Sequence, residues 1–246
     1  MGKGNVALVT GANGGIGTAI CRALAKEGYQ VAALCRCPSR AEPWLEQEKA
    51  QGYNPHLVIA DIKDQDGIFS AVSVVEAELG AINLVVNNAG ITRDKTLKRM
   101  QEDDWLEVIQ TNLTGAYHLC RAVVPLMLER QYGRIVNISS INGEKGQMGQ
   151  TNYAAAKAGL HGLTMSLAQE VASKGITVNT ISPGYIATDM VMAVPEEIRQ
   201  SIINQIPVGR LGEPSEIARI VTFLASPDAG FITGSNLSAN GGQHMH

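Results

Sequence analysis

Short, continuous apolar runs rich in β-branched residues recur along this chain: Val6–Thr10, Val31–Cys35, Leu57–Ala60, Leu84–Val86, Ile135–Ser139, Ile176–Ile181 and Ser235–Ser238. Segments with helical spacing separate them. Residues 15–27 place Ile16, Ile20, Ala23 and Leu24 on one stripe, and residues 64–79 do the same with Ile68, Ala71, Val72, Val75 and Leu79. Leu160, Leu163, Leu167 and Val171 form a third stripe. Strands that are apolar on both faces, alternating with amphipathic helices, require a parallel sheet covered by helices on both sides. The first three strand starts lie about 26 residues apart, the span of a compact βαβ unit. No linker divides the 246 residues, a length that one α/β domain can fill.

Composition narrows the function classes. Hydrophobic residues make up 45% and charged residues 17%, which excludes wholesale disorder. A net charge of -3, with no basic stripe carrying interleaved aromatics, argues against a nucleic-acid partner. No stretch approaches the ~20 apolar residues that span a bilayer, so no membrane role is expected. The start Met-Gly-Lys-Gly-Asn-Val shows no secretory leader, and Val6 stands where a myristoylation motif needs Ser or Thr. The four cysteines form no Cys-x-x-Cys pair, which suits a reduced, cytoplasmic protein. Cys35 and Cys37 flank Arg36, but no further ligand completes a metal site and none is expected. Glycine is in excess, at 26 residues, which points to tight turns and close backbone approaches.

The first strand ends in Thr10-Gly11-Ala12-Asn13-Gly14-Gly15-Ile16-Gly17 and a helix follows at once. Gly11 can turn the chain sharply, Gly15 can admit a pyrophosphate, and Gly17 can let the helix lie on the strand. The helix N-terminus adds a partial positive charge. An ordinary strand–helix turn is the plainer alternative. The position of the loop, after the first strand and at the head of a βαβ unit, favours a dinucleotide and a Rossmann-type fold. After the second strand, an acid would bind a ribose diol, whereas arginine would pair with a 2′-phosphate. The chain offers Arg36 and Arg40 and no acid before Glu42, which favours NADP(H). Two solvated arginines are the alternative.

Tyr153 and Lys157 are four residues apart, so they share a helix face. Ser140 lies at the end of the fifth strand, which should face the same crevice. Reduction of a ketone by hydride needs a proton for the new alkoxide. A free Tyr, with a pKa of ~10, is a poor acid at neutral pH. An ammonium ~5 Å away at an effective dielectric of ~20 is worth ~3 kcal/mol, a little over two pKa units, toward tyrosinate. Tyr153 is thereby expected to become a general acid.

The loop spacing Gly11-x-x-x-Gly15-x-Gly17, with Asn87-Asn88-Ala89-Gly90, Tyr153-x-x-x-Lys157 and Pro183-Gly184, resembles the short-chain dehydrogenase/reductase family over essentially the whole chain. The resemblance implies that Ser140 binds the carbonyl oxygen and that Lys157 also holds the nicotinamide ribose. It places Asn112, in Thr111-Asn112-Leu113, at a helix kink holding a relay water, where an internal backbone hydrogen bond is the bland alternative. It puts Asp61 and Ile62 at the adenine, although Asp61 could instead cap the next helix. Asn88, Ala89, Gly90, Pro183, Gly184, Ile186 and Thr188 are implied to line the rest of the cofactor.

Within the family the chain looks most like the 3-oxoacyl thioester reductases, which use acyl carrier protein or coenzyme A. The carrier branch usually offers two arginines at the site mouth; Gln131 and Lys174 stand there, with Arg130 adjacent as a substitute. The stretch 143–150 and the ending Gly241-Gly242-Gln243-His244-Met245 look closer to the branch reducing acetoacetyl-CoA in bacterial polyhydroxybutyrate synthesis. That implies substrate contacts from Asp94, Gln147, Gln150 and Tyr185, with a solvated loop as the alternative for the glutamines. A non-catalytic NADP-binding sensor is the rival from another class, and an intact Ser–Tyr–Lys set speaks against it.

Two features concern shape. Pro183–Gly212 is the least regular stretch and follows a strand's C-terminal end, so it is expected to form a substrate lid rather than a mere surface excursion. Ala158, Gly159 and Gly162 thin the Tyr153 helix for close packing, within the subunit or across an interface. The resemblance implies a homotetramer built partly on the long helices flanking the fifth strand.

Overall fold

The computed structural model describes residues 5–245. The Met-Gly start, on which the leader and lipidation expectations rest, lies outside them up to residue 4. Seven strands, β1 (Val6–Thr10), β2 (Gln30–Cys35), β3 (His56–Ile59), β4 (Ile82–Asn87), β5 (Gly133–Ile138), β6 (Ile176–Pro183) and β7 (Asn236–Ala239), form one sheet in the order β3-β2-β1-β4-β5-β6-β7. Every pairing is parallel. This is a single-domain, doubly wound α/β fold of the Rossmann type, and each apolar run read from the sequence is a strand within about two residues.

The two-residue period of the strands divides the core. Val6 and Leu8 of β1 face α3 (Gln65–Glu78), α5 (Gly115–Arg130) and α7 (Thr151–Val171). Ala7 and Val9 face α1 (Gly15–Lys26), α2 (Pro38–Ala50) and α10 (Pro214–Ala225). Both faces are apolar because both are covered, which is why the strands read as unbroken hydrophobic runs.

The strand order reverses between β1 and β4, and open α/β sheets bind ligands in the crevice at that reversal. The connections after β1, β4, β5 and β6 all leave at this end. Two short helices, α8 (Asp189–Met192) and α9 (Glu196–Ile203), interrupt the stretch read as irregular. The excursion is closed at its base: Gly212 N donates to Tyr185 O at 2.9 Å and Ala187 N to Gly212 O at 2.8 Å.

Candidate active site

The glycine loop is shaped by contacts that leave no room for side chains. Gly11 has φ +61°, and a Cβ there would lie 2.9 Å from Ala89 Cα. A Cβ on Gly17 would strike Gly11 O and come within 2.9 Å of Ala12 Cα. Thr10 Oγ1 accepts from Asn88 N and Ala89 N at 3.0 and 2.9 Å, and Asn88 Nδ2 donates to Thr10 O and Gly11 O at 3.0 and 3.1 Å. The β1 and β4 loops are thus bolted together. Helix α1 has glycine at its N-cap, no side-chain cap and no acid in its first turn. Its leading amides, from Gly15, Ile16 and Gly17, make a fitting cradle for an anionic pyrophosphate. Asn13, half-buried, sits in the turn, its backbone amide directed at the Cys35 thiol. The segment after β6 touches this cradle: a Cβ on Gly15 would meet Thr188 Cγ2 at 3.0 Å.

Arg36 and Arg40 are exposed at the end of β2 and the start of α2, and among the described residues neither is ion-paired. Asp61 Oδ1 accepts from Lys63 N at 2.9 Å, closing a local turn. It does not cap α3, whose N-cap is Asp64, so the capping alternative for Asp61 fails. Ile62 is buried, and its carbonyl is bonded to His118 Nδ1 at 3.1 Å.

Tyr153 and Lys157 project from α7 with Lys157 Nζ 5.6 Å from the Tyr153 ring centroid. Lys157 is 3% exposed and donates to Ile138 O at 2.7 Å. Burial pushes its ammonium down to about 8. Burial pushes the Tyr153 phenol up; the Ser140 hydroxyl, hydrogen-bonded to it, pulls the other way, and the Asp94 carboxylate adds to the rise. This differs from the sequence expectation that the ammonium lowers the phenol. Desolvation penalises tyrosinate and ammonium alike, and it is the largest influence on both groups here. Ser140 also accepts from Asn142 N at 3.2 Å, capping the short helix α6 (Ile141–Lys145).

Asn112 lies in a single π-turn, Gln110–Thr114, between α4 (Glu102–Ile109) and α5. Its amide accepts from Ile91 N at 2.8 Å and donates to Ile91 O at 2.9 Å, so the side chain braces the loop after β4. A Cβ on Gly90 would sit 3.4 Å from Lys157 Nζ and 3.5 Å from Asn112 Oδ1. Gly90 thus lies in van der Waals reach of both side chains, which places the β4 loop, Lys157 and Asn112 together.

At the mouth, Gln150 accepts from Asn142 Nδ2 at 2.9 Å and donates to Asp94 Oδ2 at 2.8 Å. Gln150 is therefore not a solvated loop residue, whereas the exposed Gln147 contributes its backbone carbonyl to Gln150 N at 3.1 Å. On the far side, Pro183 ends β6, Gly184 packs on Asn240 Cα, Tyr185 is half-buried and Ile186 is buried, bridged to Gly212. The structure thus gathers Tyr153, Lys157, Ser140, Asn112 and Gly90 at one crevice, with Asp94 and Gln150 at its edge and the arginines at its outer rim.

The sequence reading passed over Thr10, Asn142, Ser139 and His161. Thr10 ends an apolar strand as its one polar residue, which is a usable signal. The others act through partners distant in sequence.

A dinucleotide-type sheet with a glycine cradle at its switch point and a buried tyrosine–lysine pair beside it defines an oxidoreductase fold carrying a nicotinamide cofactor. Residues 5–199 match the family described as short chain dehydrogenase, and the chain belongs to that family. It is 54% identical over 241 residues to the acetoacetyl-CoA reductase of Cupriavidus necator, covering 98% of each chain. It is 53% identical to nodulation protein G of Azospirillum brasilense, covering 96% of this chain and 97% of that one. To the 3-oxoacyl-[acyl-carrier-protein] reductase of Pseudomonas aeruginosa it is 46% identical, covering 99% and 98%.

Proposed function

We propose that this protein reduces a 3-oxoacyl thioester, acetoacetyl-CoA, to (3R)-3-hydroxybutyryl-CoA with NADPH. The family and the relatives support an oxidoreductase acting on a 3-oxoacyl thioester. The bound nicotinamide supplies the hydride that reaches the ketone carbon. The cradle of Gly11, Asn13, Gly15, Ile16 and Gly17 holds the pyrophosphate. Arg36 and Arg40 take the 2′-phosphate, for which two unpaired guanidinium groups are suited. Asp61, Ile62, Asn88, Ala89, Gly90, Pro183, Gly184, Ile186 and Thr188 border the rest.

Ser140 donates to the substrate carbonyl, and Tyr153 passes its hydroxyl proton to the same oxygen as the alkoxide forms. Lys157 stabilises the resulting tyrosinate, and Asn112, at the π-turn, holds the relay water. Asp94, Gln147, Gln150 and Tyr185 border the acyl and pantetheine arms, and the 183–212 segment is the lid over them.

The observation favouring CoA over a carrier protein is Arg130. It could have stood in for the missing mouth arginines, but its guanidinium is bidentate to Glu76 at 2.7 and 3.0 Å and also reaches Ile82 O at 3.3 Å. Gln131 and Lys174 leave that rim without an arginine fork. The deciding measurement is kcat/KM for acetoacetyl-CoA against acetoacetyl carrier protein, expected to favour CoA; a strong preference for the carrier overturns the assignment.

Among the described residues no helix is long and apolar enough to cross a membrane. A cytoplasmic homotetramer completes the reading. Exposed Tyr117 and Leu128 on α5 and Met165 on α7 supply an apolar face on the expected helices. Gly159 packs on Leu113 of its own subunit, while Gly162 has nothing within 4 Å and is free for a neighbour. Solution scattering that gives a monomer mass at micromolar concentration refutes this assembly.

A further inference from the structure

One imidazole connects three of the elements that carry the candidate catalytic groups. His161 lies on α7, one turn beyond Lys157 and two beyond Tyr153. Its Nε2 is 2.9 Å from Ser139 Oγ and 3.4 Å from Ser182 Oγ. Ser139 immediately precedes Ser140 at the end of β5, and Ser182 immediately precedes Pro183-Gly184 at the end of β6.

The direction of each bond follows from donor counting. Ser139 has one hydroxyl hydrogen and gives it to Lys157 O at 2.8 Å. Ser182 gives its own to Asn236 Oδ1 at 2.8 Å. Both oxygens can then only accept from the imidazole, so the network assigns a hydrogen to His161 Nε2. Asn236 is fixed in this orientation because its Nδ2 donates to Glu144 Oε1, which also accepts from Ser238 Oγ at 2.7 Å.

These bonds close a ring. It runs from Ser139 through His161, Ser182 and Asn236 to Glu144, and returns along α6 to Ser140, whose side chain caps that helix. Ser139 N also donates to Ile181 O at 2.7 Å, adding a strut to β6. Ser140 therefore sits in a frame that His161 joins to the Tyr153–Lys157 helix alongside the Ser139–Lys157 and Lys157–Ile138 bonds, and His161 is the side chain that ties this helix to the ends of both β5 and β6.

We propose that His161 is a positioning residue: its Nε2–H holds the Ser139 hydroxyl on the Lys157 carbonyl and so sets Ser140 against Tyr153 and Lys157. The inference rests on the catalytic assignment of Ser140, Tyr153 and Lys157. Displacements of about 1 Å in such groups cost on the order of 100-fold in turnover. Second supporting residues matter for that reason.

The test uses the full-length enzyme, with turnover counted per NADPH-binding site so that unfolded protein does not enter. His161→Leu, which fills the space without a donor, is expected to lower kcat on the order of 10- to 100-fold while KM for NADPH stays within about twofold. His161→Gln, which can donate from its amide, is expected to recover most of that loss. Ser139→Ala is expected to match His161→Leu, and the double variant to fall little further, because both break one bond. Full turnover in His161→Leu, or losses in the two single variants that multiply, overturns the positioning role. An unrescued His161→Gln that is as slow as His161→Leu overturns it as well. Tyr153→Phe run alongside separates the two readings: if it turns over normally the catalytic assignment has failed, whereas an inactive Tyr153→Phe beside an unimpaired His161→Leu condemns His161 alone.

Discussion

The protein buries a charge at each end of its sheet and treats the two differently. At the end opposite the crevice, Glu48 of α2 is 2% exposed and is held by Arg22 of α1 through Nε at 2.7 Å and NH2 at 2.6 Å. Arg22 in turn lies over the Tyr53 ring, 5.7 Å from its centroid. At the crevice, Lys157 is 3% exposed, its ammonium donates to a backbone carbonyl and faces the Tyr153 ring, and among the described residues no carboxylate lies within ion-pair distance. A buried charge with a matched partner holds two helices together. A buried charge without one is kept at a cost in stability, and a fold tolerates that where chemistry uses the charge.

The comparison breaks most sharply at Tyr153. Tyr153→Phe removes one hydroxyl at the unpaired end and is expected to lower kcat by 10²- to 10⁴-fold, the span of general acid catalysis, with Tm almost unchanged. A variant that keeps turnover shows that the crevice is not the reacting site. Arg22→Ala is the opposite case. It strands Glu48 in the interior and is expected to cost about 3 kcal/mol, or about 10 °C in Tm, while kcat/KM per folded enzyme holds steady. Urea unfolding checks it, and a cost below 1 kcal/mol would mean that the pair is ornamental and the contrast between the ends is false.

How much of this contrast the sequence carried depends on the range of the interactions. The strands were legible because their residues are apolar on both faces, a local property. The glycine loop and the Tyr153–Lys157 spacing were legible because backbone turns and helix faces are set by near neighbours. The sequence could not show that Asp64, and not Asp61, stands at the N-cap position of α3, since both are plausible there a turn apart. The resemblance implied a kink at Asn112, but the sequence could not show that its amide bonds the Ile91 backbone, nor the two helices inside 183–212. The frame around Ser140 was hidden most completely. Asn236 and Glu144 are 92 positions apart, and Arg22 meets Glu48 across 26. Such partners are chosen by the folded sheet, and no periodicity announces them.

The smallest expected effect probes the same contrast from the stability side. The Lys157 pKa in the folded chain, about 8, lies below the ~10.4 of an unfolded lysine. Below pH 8 both states hold the proton, and the folded state carries the whole desolvation penalty. Between about 8 and 10.4 the unfolded state binds more protons, so wild-type stability rises with pH through this window. The gap corresponds to about 3 kcal/mol at neutral pH. Lys157→Met removes the penalty but leaves Ile138 O without its donor, which returns about 2 kcal/mol. The variant, although inactive, is therefore expected to be about 1 kcal/mol more stable than wild type at pH 7, with the advantage vanishing and reversing as the pH approaches 10. Urea unfolding at pH 7 and pH 9.5 reads both values. A Lys157→Met chain less stable than wild type at pH 7 would show that the ammonium is well solvated or paired after all, and the two ends of the sheet would then bury charge on the same terms.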